Sequence, residues 1–236
     1  MRYALYYWSG IQGRGEFIRL ALEDAGAEYV DVAREQGDVA IARFVAGERT
    51  GALPFAPPFL KAGQLIVAQT ANILQHLGPP LGLVADSTSR RLYAHQLQLT
   101  IADLVSEVHD SHHPIASSLY YADQRAAARR RSADLRATRL PKFLGYFEQV
   151  LKRGGGRCAL REHSYVDLSL FQVMTGLGYA FPCAMRRLER QLPRLCALRE
   201  RIAARPQIAA YLASPRRLAF NENGIFRHYA TLDDPA

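Results

Sequence analysis

The chain has 236 residues, 49% of them apolar and 22% charged, with a formal net charge of +8. That length suits one or two compact domains with an ample core, and ordinary charge content argues for a globular chain. No apolar run approaches the roughly 20 residues of a bilayer span, and Arg2 is followed by polar-interrupted sequence and not by an export signal, so a cytoplasmic protein with no membrane partner is expected.

Taken in chain order, residues 3–8 (YALYYW) are apolar and aromatic, as in a strand. EFIRLALEDAG follows with Phe17, Ile18, Leu20, Ala21 and Leu22 at helical spacing and stops at Gly26. EYVDVA (28–33) alternates like a second strand, and DVAIARFVAG reads as a short helix. FLKAGQLIV reads as two strands around Ala62-Gly63, and AQTANILQHLG as a helix ending at Gly78. The order β-α-β-α-β-β-α predicts a mixed sheet carrying helices.

GPPLGLVADSTS (78–89) has the composition of a linker. Nothing beyond it resembles a strand. RRLYAHQLQLTIADLVSEVHD is a long amphipathic helix. RAAARRRSADLRATRLPKFLGYFEQVLKRGGG is another, with a bend expected at Pro141. HSYVDLSLFQVMTGLGYAF is the most apolar and should be buried. PRLCALRERIAARPQIAAYLAS supplies one or two more. The expected organisation is α+β over residues 1–80 and an all-α bundle over 86–236.

Cys158, Cys183 and Cys196 form no CxxC and no ligand spacing, so they read as reduced and structural. The basic run 125–136 lacks interleaved aromatics and reads as a solvated helix face, not a nucleic-acid surface. His112 and His113 are adjacent, so on a helix they point about 100° apart and chelate poorly. No metal is expected.

Several motifs together resemble the cytosolic glutathione transferases, along nearly the whole chain. LYYWSGIQGRGEFIRLAL is similar to that family's first strand, turn and helix. The resemblance implies a thioredoxin-like first domain, with Tyr7 donating a hydrogen bond to the glutathione sulfur, Trp8 beside the peptide and Arg14 near the thiolate. The turn carries one residue more than the family pattern, which leaves Ser9 and Tyr6 open as alternatives. APPFLKAGQLIVAQT is similar to the family's segment with a cis proline, here Pro58, preceded by the residue whose backbone pairs with the cysteinyl unit. That residue is Pro57, which offers a carbonyl but no N–H.

Gln69-Thr70 would then sit at a helix N-terminus, where free N–H groups and the dipole favour the γ-glutamyl carboxylate. Asp103, 33 residues after Thr70, matches an acidic position that reaches the γ-glutamyl ammonium across a dimer interface, which implies a homodimer. Ser164-x-x-Asp167 resembles the capping box that starts the family's buried helix, with His163 in place of the usual apolar staple residue. The apolar co-substrate is expected between the domains, against Val108, Ser111, His112 and Phe220. The tail FNENGIFRHY either folds over the cleft or covers core.

The implied function is conjugation of the glutathione thiolate to hydrophobic electrophiles by a tyrosine-type member, similar to the alpha, mu, pi and sigma branches and most of all to a bacterial sigma-like one. With no cysteine in residues 1–157, a mixed-disulfide mechanism lacks its nucleophile. A glutathione-dependent isomerase or peroxidase, and a non-catalytic binding module, are the alternatives.

Overall fold

A computed structural model describes residues 2–47 and 52–233. The last residues of the expected second domain, 234–236, lie outside it. Strand β1 (Tyr3–Tyr6) leads into α1 (Gly15–Asp24), β2 (Tyr29–Asp31), α2 (Val32–Gln36), α3 (Val39–Val45), β3 (Phe59–Ala62), β4 (Leu65–Ala68) and α4 (Thr70–Leu77). The sheet order is β2-β1-β3-β4, with β1 parallel to β2 and antiparallel to β3, and β4 antiparallel to β3. The β3–β4 hairpin turns at Gly63-Gln64, where Gly63 takes φ 63, a conformation that is cheap only for glycine.

The second strand is shorter than its alternation suggested. It ends at Asp31, and Val32 and Ala33 open a helix. The Asp31 carboxylate is claimed by Arg19 at 2.6 Å and by Arg34, one turn into that helix, at 3.2 Å. Three residues of alternation are too few to outweigh such a pair.

All remaining described elements are helical: α5 (Thr88–Asp110), α6 (Arg125–Asp134), α7 (Leu140–Arg153), α8 (Tyr165–Ala180), α9 (Pro182–Leu188), α10 (Pro193–Ala203), α11 (Pro206–Leu212) and α12 (Ala230–Asp233), with single 3-10 turns at Tyr121–Gln124 and Glu189–Gln191. None is long and apolar enough to cross a membrane. The irregularity expected at Pro141 sits just before it, in a π-helical turn, Leu135–Arg139, where the Leu140 N–H donates to the Leu135 carbonyl. Pro141 has no N–H to offer Ala137, and the widened turn absorbs that loss.

The segment 78–87 is no loose tether. Leu83 and Val84 are buried in the main core, and the Leu83 carbonyl accepts from the Tyr165 N–H at 3.1 Å. Helix α1 joins the two halves: Ile18 and Leu22 pack on the sheet, while Phe17, Leu20 and Ala21 enter the core formed with α5, α7 and α8. A helix buried on both faces has nowhere to solvate its charges, so Glu16 and Arg19 pair with each other at 3.2 Å. Glu16 also accepts from Arg217 and from the Tyr211 hydroxyl, the latter at 2.6 Å.

Candidate active site

The two adjacent tyrosines part at the end of β1, as the period of two requires. Tyr6 points toward α3 and stacks on Phe59, ring centroids 4.5 Å apart, with Phe44 beside it. Tyr7 points the other way and is 4% exposed. Its hydroxyl accepts the Arg14 N–H at 2.8 Å. The turn wraps the ring closely: a Cβ on Gly13 would fall on the hydroxyl, and one on Gly15 would lie 2.6 Å from the ring. Burial raises the Tyr7 pKa, against the lowering effect of the Arg14 N–H and the Arg14 and Arg19 charges. The phenol is therefore neutral at pH 7 and retains its proton. Ser9 gives its backbone N–H to Asp38 at 2.9 Å, and Trp8 is exposed at the strand end.

Beside this turn lies a cleft of about 570 Å³, lined by Arg14, Pro57, Pro58, Gln69 and Thr70 and closed by one face of α5. The Pro57-Pro58 peptide bond is cis. Gln69 takes φ 70, the one non-glycine residue with positive φ among those described. Such a conformation is sparsely populated and characteristic of functional turns. It delivers Thr70 to the first position of α4, and the Thr70 Oγ1 is buried without a hydrogen-bond partner. A donor hydroxyl and free helix N–H groups at one point suit a carboxylate.

The other expected site residues are not gathered here. Asp103 is exposed on α5 and is not part of the cleft lining. Val108 is core, the Ser111 Oγ donates to the Val108 carbonyl at 2.7 Å, and the buried His112 Nε2 lies 2.8 Å from the Ile225 carbonyl. Phe220 stacks on Tyr179 and lines a separate cavity near α10. The tail covers core with Ile225 and Phe226, and it also holds the turn: Asn221 donates to the Gly10 carbonyl at 2.9 Å, and the Gln12 side chain donates to the Leu218 carbonyl. Ser164 and Asp167 do form their capping box, and Asp167 further accepts the Ala159 N–H at 2.7 Å. His163, instead of acting as a staple, bonds Asp24 at 2.8 Å. Among the described residues there is no group of three or more His, Cys, Asp or Glu able to hold a metal ion. Sequence reasoning missed His95 and Gln98 on the cleft face of α5. The available signal was a glutamine amid the buried spacing Leu97, Ile101, Leu104.

Comparison with known proteins bears on the fold and the family. Residues 109–215 match the family model described as the glutathione S-transferase C-terminal domain. The chain is 23% identical over 224 residues to a glutathione S-transferase of Plasmodium falciparum, covering 92% of this chain and 97% of that one. It is 26% identical over 226 residues to glutathione S-transferase P of Bos taurus, covering 94% and 97%. Among solved structures, the pi-class glutathione S-transferase of Onchocerca volvulus superposes with a TM-score of 0.71 at 24% identity, covering 95% of this chain and 99% of that one. Prostaglandin synthase D of Nilaparvata lugens does so with a TM-score of 0.71 at 20% identity, covering 93% and 100%. The structural likeness shows the fold, a thioredoxin-like unit followed by a helical domain. The family match and the relatives, each aligned over nearly its whole length, support a glutathione S-transferase.

Proposed function

We propose that this protein is a glutathione transferase of the tyrosine type, a bacterial sigma-like member, which joins the glutathione thiolate to hydrophobic electrophiles. Residues 1–80 act as the glutathione-binding domain and 86–236 as the helical domain. The observation that carries the proposal is a single cleft in which Arg14, Pro57-Pro58, Gln69 and Thr70 meet. The γ-glutamyl carboxylate lies at the N-terminus of α4, the cysteinyl backbone runs along Pro57 and Pro58, and the sulfur comes to rest between Arg14 and the Tyr7 hydroxyl, with Trp8 at the rim.

A thiol with an ordinary pKa of about 8.5 is mostly protonated at neutral pH. A neutral phenol that donates to sulfur stabilises the thiolate and not the thiol. The Arg14 N–H bonded to the phenol oxygen polarises it as a donor. A thiol pKa lowered by about two units needs roughly 2.7 kcal/mol, and one hydrogen bond to a charged group supplies about 1.5–3 kcal/mol. The thiol proton passes to solvent. A sulfur lone pair then forms the bond to the electrophilic carbon, and the displaced electron pair leaves with the leaving group or is protonated after addition.

A homodimer belongs to the same proposal, because Asp103 meets an ammonium only across a second subunit. Support comes from apolar side chains that α5 and the loop before β3 leave in solvent, Leu92 at 60%, Leu99 at 48% and Phe55 at 91% exposure. Three free cysteines suit a reducing compartment, taken here as the cytoplasm.

Ultraviolet titration of bound glutathione, in wild type and in Tyr7→Phe, tests the assignment. Expected is a thiolate band that persists well below pH 8 in wild type and is lost in Tyr7→Phe, with kcat/KM lowered about 10- to 100-fold. A band that survives the substitution moves the role to Ser9, since Tyr6 is stacked on the opposite face. A wild type that binds no glutathione removes the enzyme assignment.

A further inference from the structure

Three arginines meet at a place that the proposed function does not use. A second cavity, of about 470 Å³, lies between the first turn of α5, the end of α7 and residues 159–161. Arg90, Arg153 and Arg161 line it together with Ser89 and Tyr93, and among the described residues no carboxylate does. Its floor is the buried Val150, Ala159 and Leu160. Arginines between the helices elsewhere hold carboxylates, Arg194 with Glu148 and Arg205 with Asp24. Among the described residues, Arg90, Arg153 and Arg161 have neither a hydrogen bond nor an ion pair.

The triple glycine after α7 builds this arrangement. Gly155 and Gly156 take φ 92 and 84, so the chain can reverse, and the Gly156 N–H closes the turn on the Leu151 carbonyl at 2.7 Å. A Cβ on Gly154 would lie 2.6 Å from the Cys158 carbonyl oxygen. The returning segment is pinned by Leu160 in the core and by the Ala159 N–H on Asp167. Arg153 and Arg161, eight residues apart, are thereby held at one cavity, and Arg90 joins them from α5. A lone arginine in solvent is ordinary surface. Three on a fixed backbone around one concavity repel one another until an anion sits between them, and they are organised for it in advance.

Guanidinium forks match phosphate oxygens in pairs. The volume is that of a site for one small molecule, and the apolar floor and the Tyr93 ring suit a flat body. We propose that this cavity binds a small phosphate ester with two or more negative charges, its phosphates among Arg90, Arg153 and Arg161 and its body against Tyr93 and the floor. The cavity shares no lining residue with the catalytic cleft, so the assignment is independent of glutathione. On α5, Tyr93 lies about 100° and Arg90 about 160° around the helix from Leu92, so the face proposed for the partner subunit leaves the cavity open.

The experiment is calorimetric titration of the full-length protein with ADP, pyrophosphate and adenosine. ADP should bind more tightly than either fragment and weaken as salt is raised. Arg153→Gln and Arg161→Gln should each lower its affinity about tenfold, with the melting temperature of the free protein unchanged. A wild type that binds none of the three probes overturns the proposal. So do ADP affinity that survives both substitutions and displacement of ADP by glutathione, which would put the nucleotide in the catalytic cleft. Pyrophosphate that binds as tightly as ADP removes the role of Tyr93 and the floor, and with it the ester. If Arg90→Gln, at a half-buried position, does not fold, the exposed Arg153 and Arg161 decide. A phosphate ester can also be a lipid headgroup, so pelleting with phosphatidylcholine vesicles that contain phosphatidylinositol bisphosphate is the second arm. Pelleting that ADP displaces and Arg153→Gln abolishes assigns the same chemistry to a headgroup, and its absence assigns it to a free ester.

Discussion

Tyr7 is held by what is missing around it. Gly13 takes φ 48 and Gly15 has no side chain, so the turn can close over the ring and bring the Arg14 N–H to the hydroxyl. Gly13→Ala should therefore cost about 1 kcal/mol of stability from the positive φ alone, and more from the displaced phenol. Its signature is a fall in turnover larger than the shift in urea midpoint would suggest, measured on the same preparation. His112 sets a different expectation. Burial lowers its pKa to about 3, whereas in the unfolded chain it titrates near 6.5. Between those values the unfolded chain binds a proton that the folded one refuses, so stability falls as the pH falls through that window. Urea unfolding between pH 7 and 4 should show a loss of about 2–4 kcal/mol, much reduced in His112→Gln. An unchanged slope in the variant would acquit His112.

At the scale of elements, α8 depends on its first turn. Asp167 Oδ2 accepts the Ser164 N–H at 2.8 Å and the Ser164 hydroxyl at 2.9 Å, while Oδ1 holds the Ala159 N–H. Ser164→Ala removes one of these and should cost about 1 kcal/mol. Asp167→Ala strands several buried donors and should cost about 3 kcal/mol or more. Chemical denaturation that ranks the two equally would refute this account of the cap. Helix α5 has three different faces: one in the core, one on the cleft and one exposed. Its buried positions form one stripe, from Ala94 to Val108, but Leu92 and Leu99 are exposed apolar residues off it, so the residues of the cleft face are hard to separate from ordinary surface.

At the scale of the molecule, the two halves are fastened by charge as well as by apolar packing. Glu16 is fully buried between Arg19, Arg217 and Tyr211, and Asp24 between His163 and Arg205. Burial raises the Asp24 pKa, but the bonds from His163 and Arg205 outweigh it and hold the carboxyl below its usual range. That contribution is complete above the ordinary carboxylate pKa near 3.9 and is lost as the pH falls below it. Arg217→Met leaves Glu16 short of one partner and should destabilise by about 2–4 kcal/mol. Unfolding should remain a single transition, since α1 belongs to both cores. Separate transitions for the two halves would contradict that coupling.

The sequence by itself determined the elements whose causes are local. The β1-turn-α1 pattern, the hairpin at Gly63, the Ser164–Asp167 cap and the position of Gln69-Thr70 each depend on residues a few places apart. The end of β2 at Asp31 was less legible, because its cause is an ion pair with Arg19 on another helix. The cleft was half legible. Arg14, the two prolines and Gln69-Thr70 carry recognisable turn and helix-start chemistry, whereas Gln98 joins them only when α5 is laid against α4. Val108, Ser111 and His112 could not be told from cleft residues by type, since an apolar or small side chain suits a core as well as a pocket. Only tertiary packing decided which way each one faced, because burial depends on contacts between elements far apart in the chain.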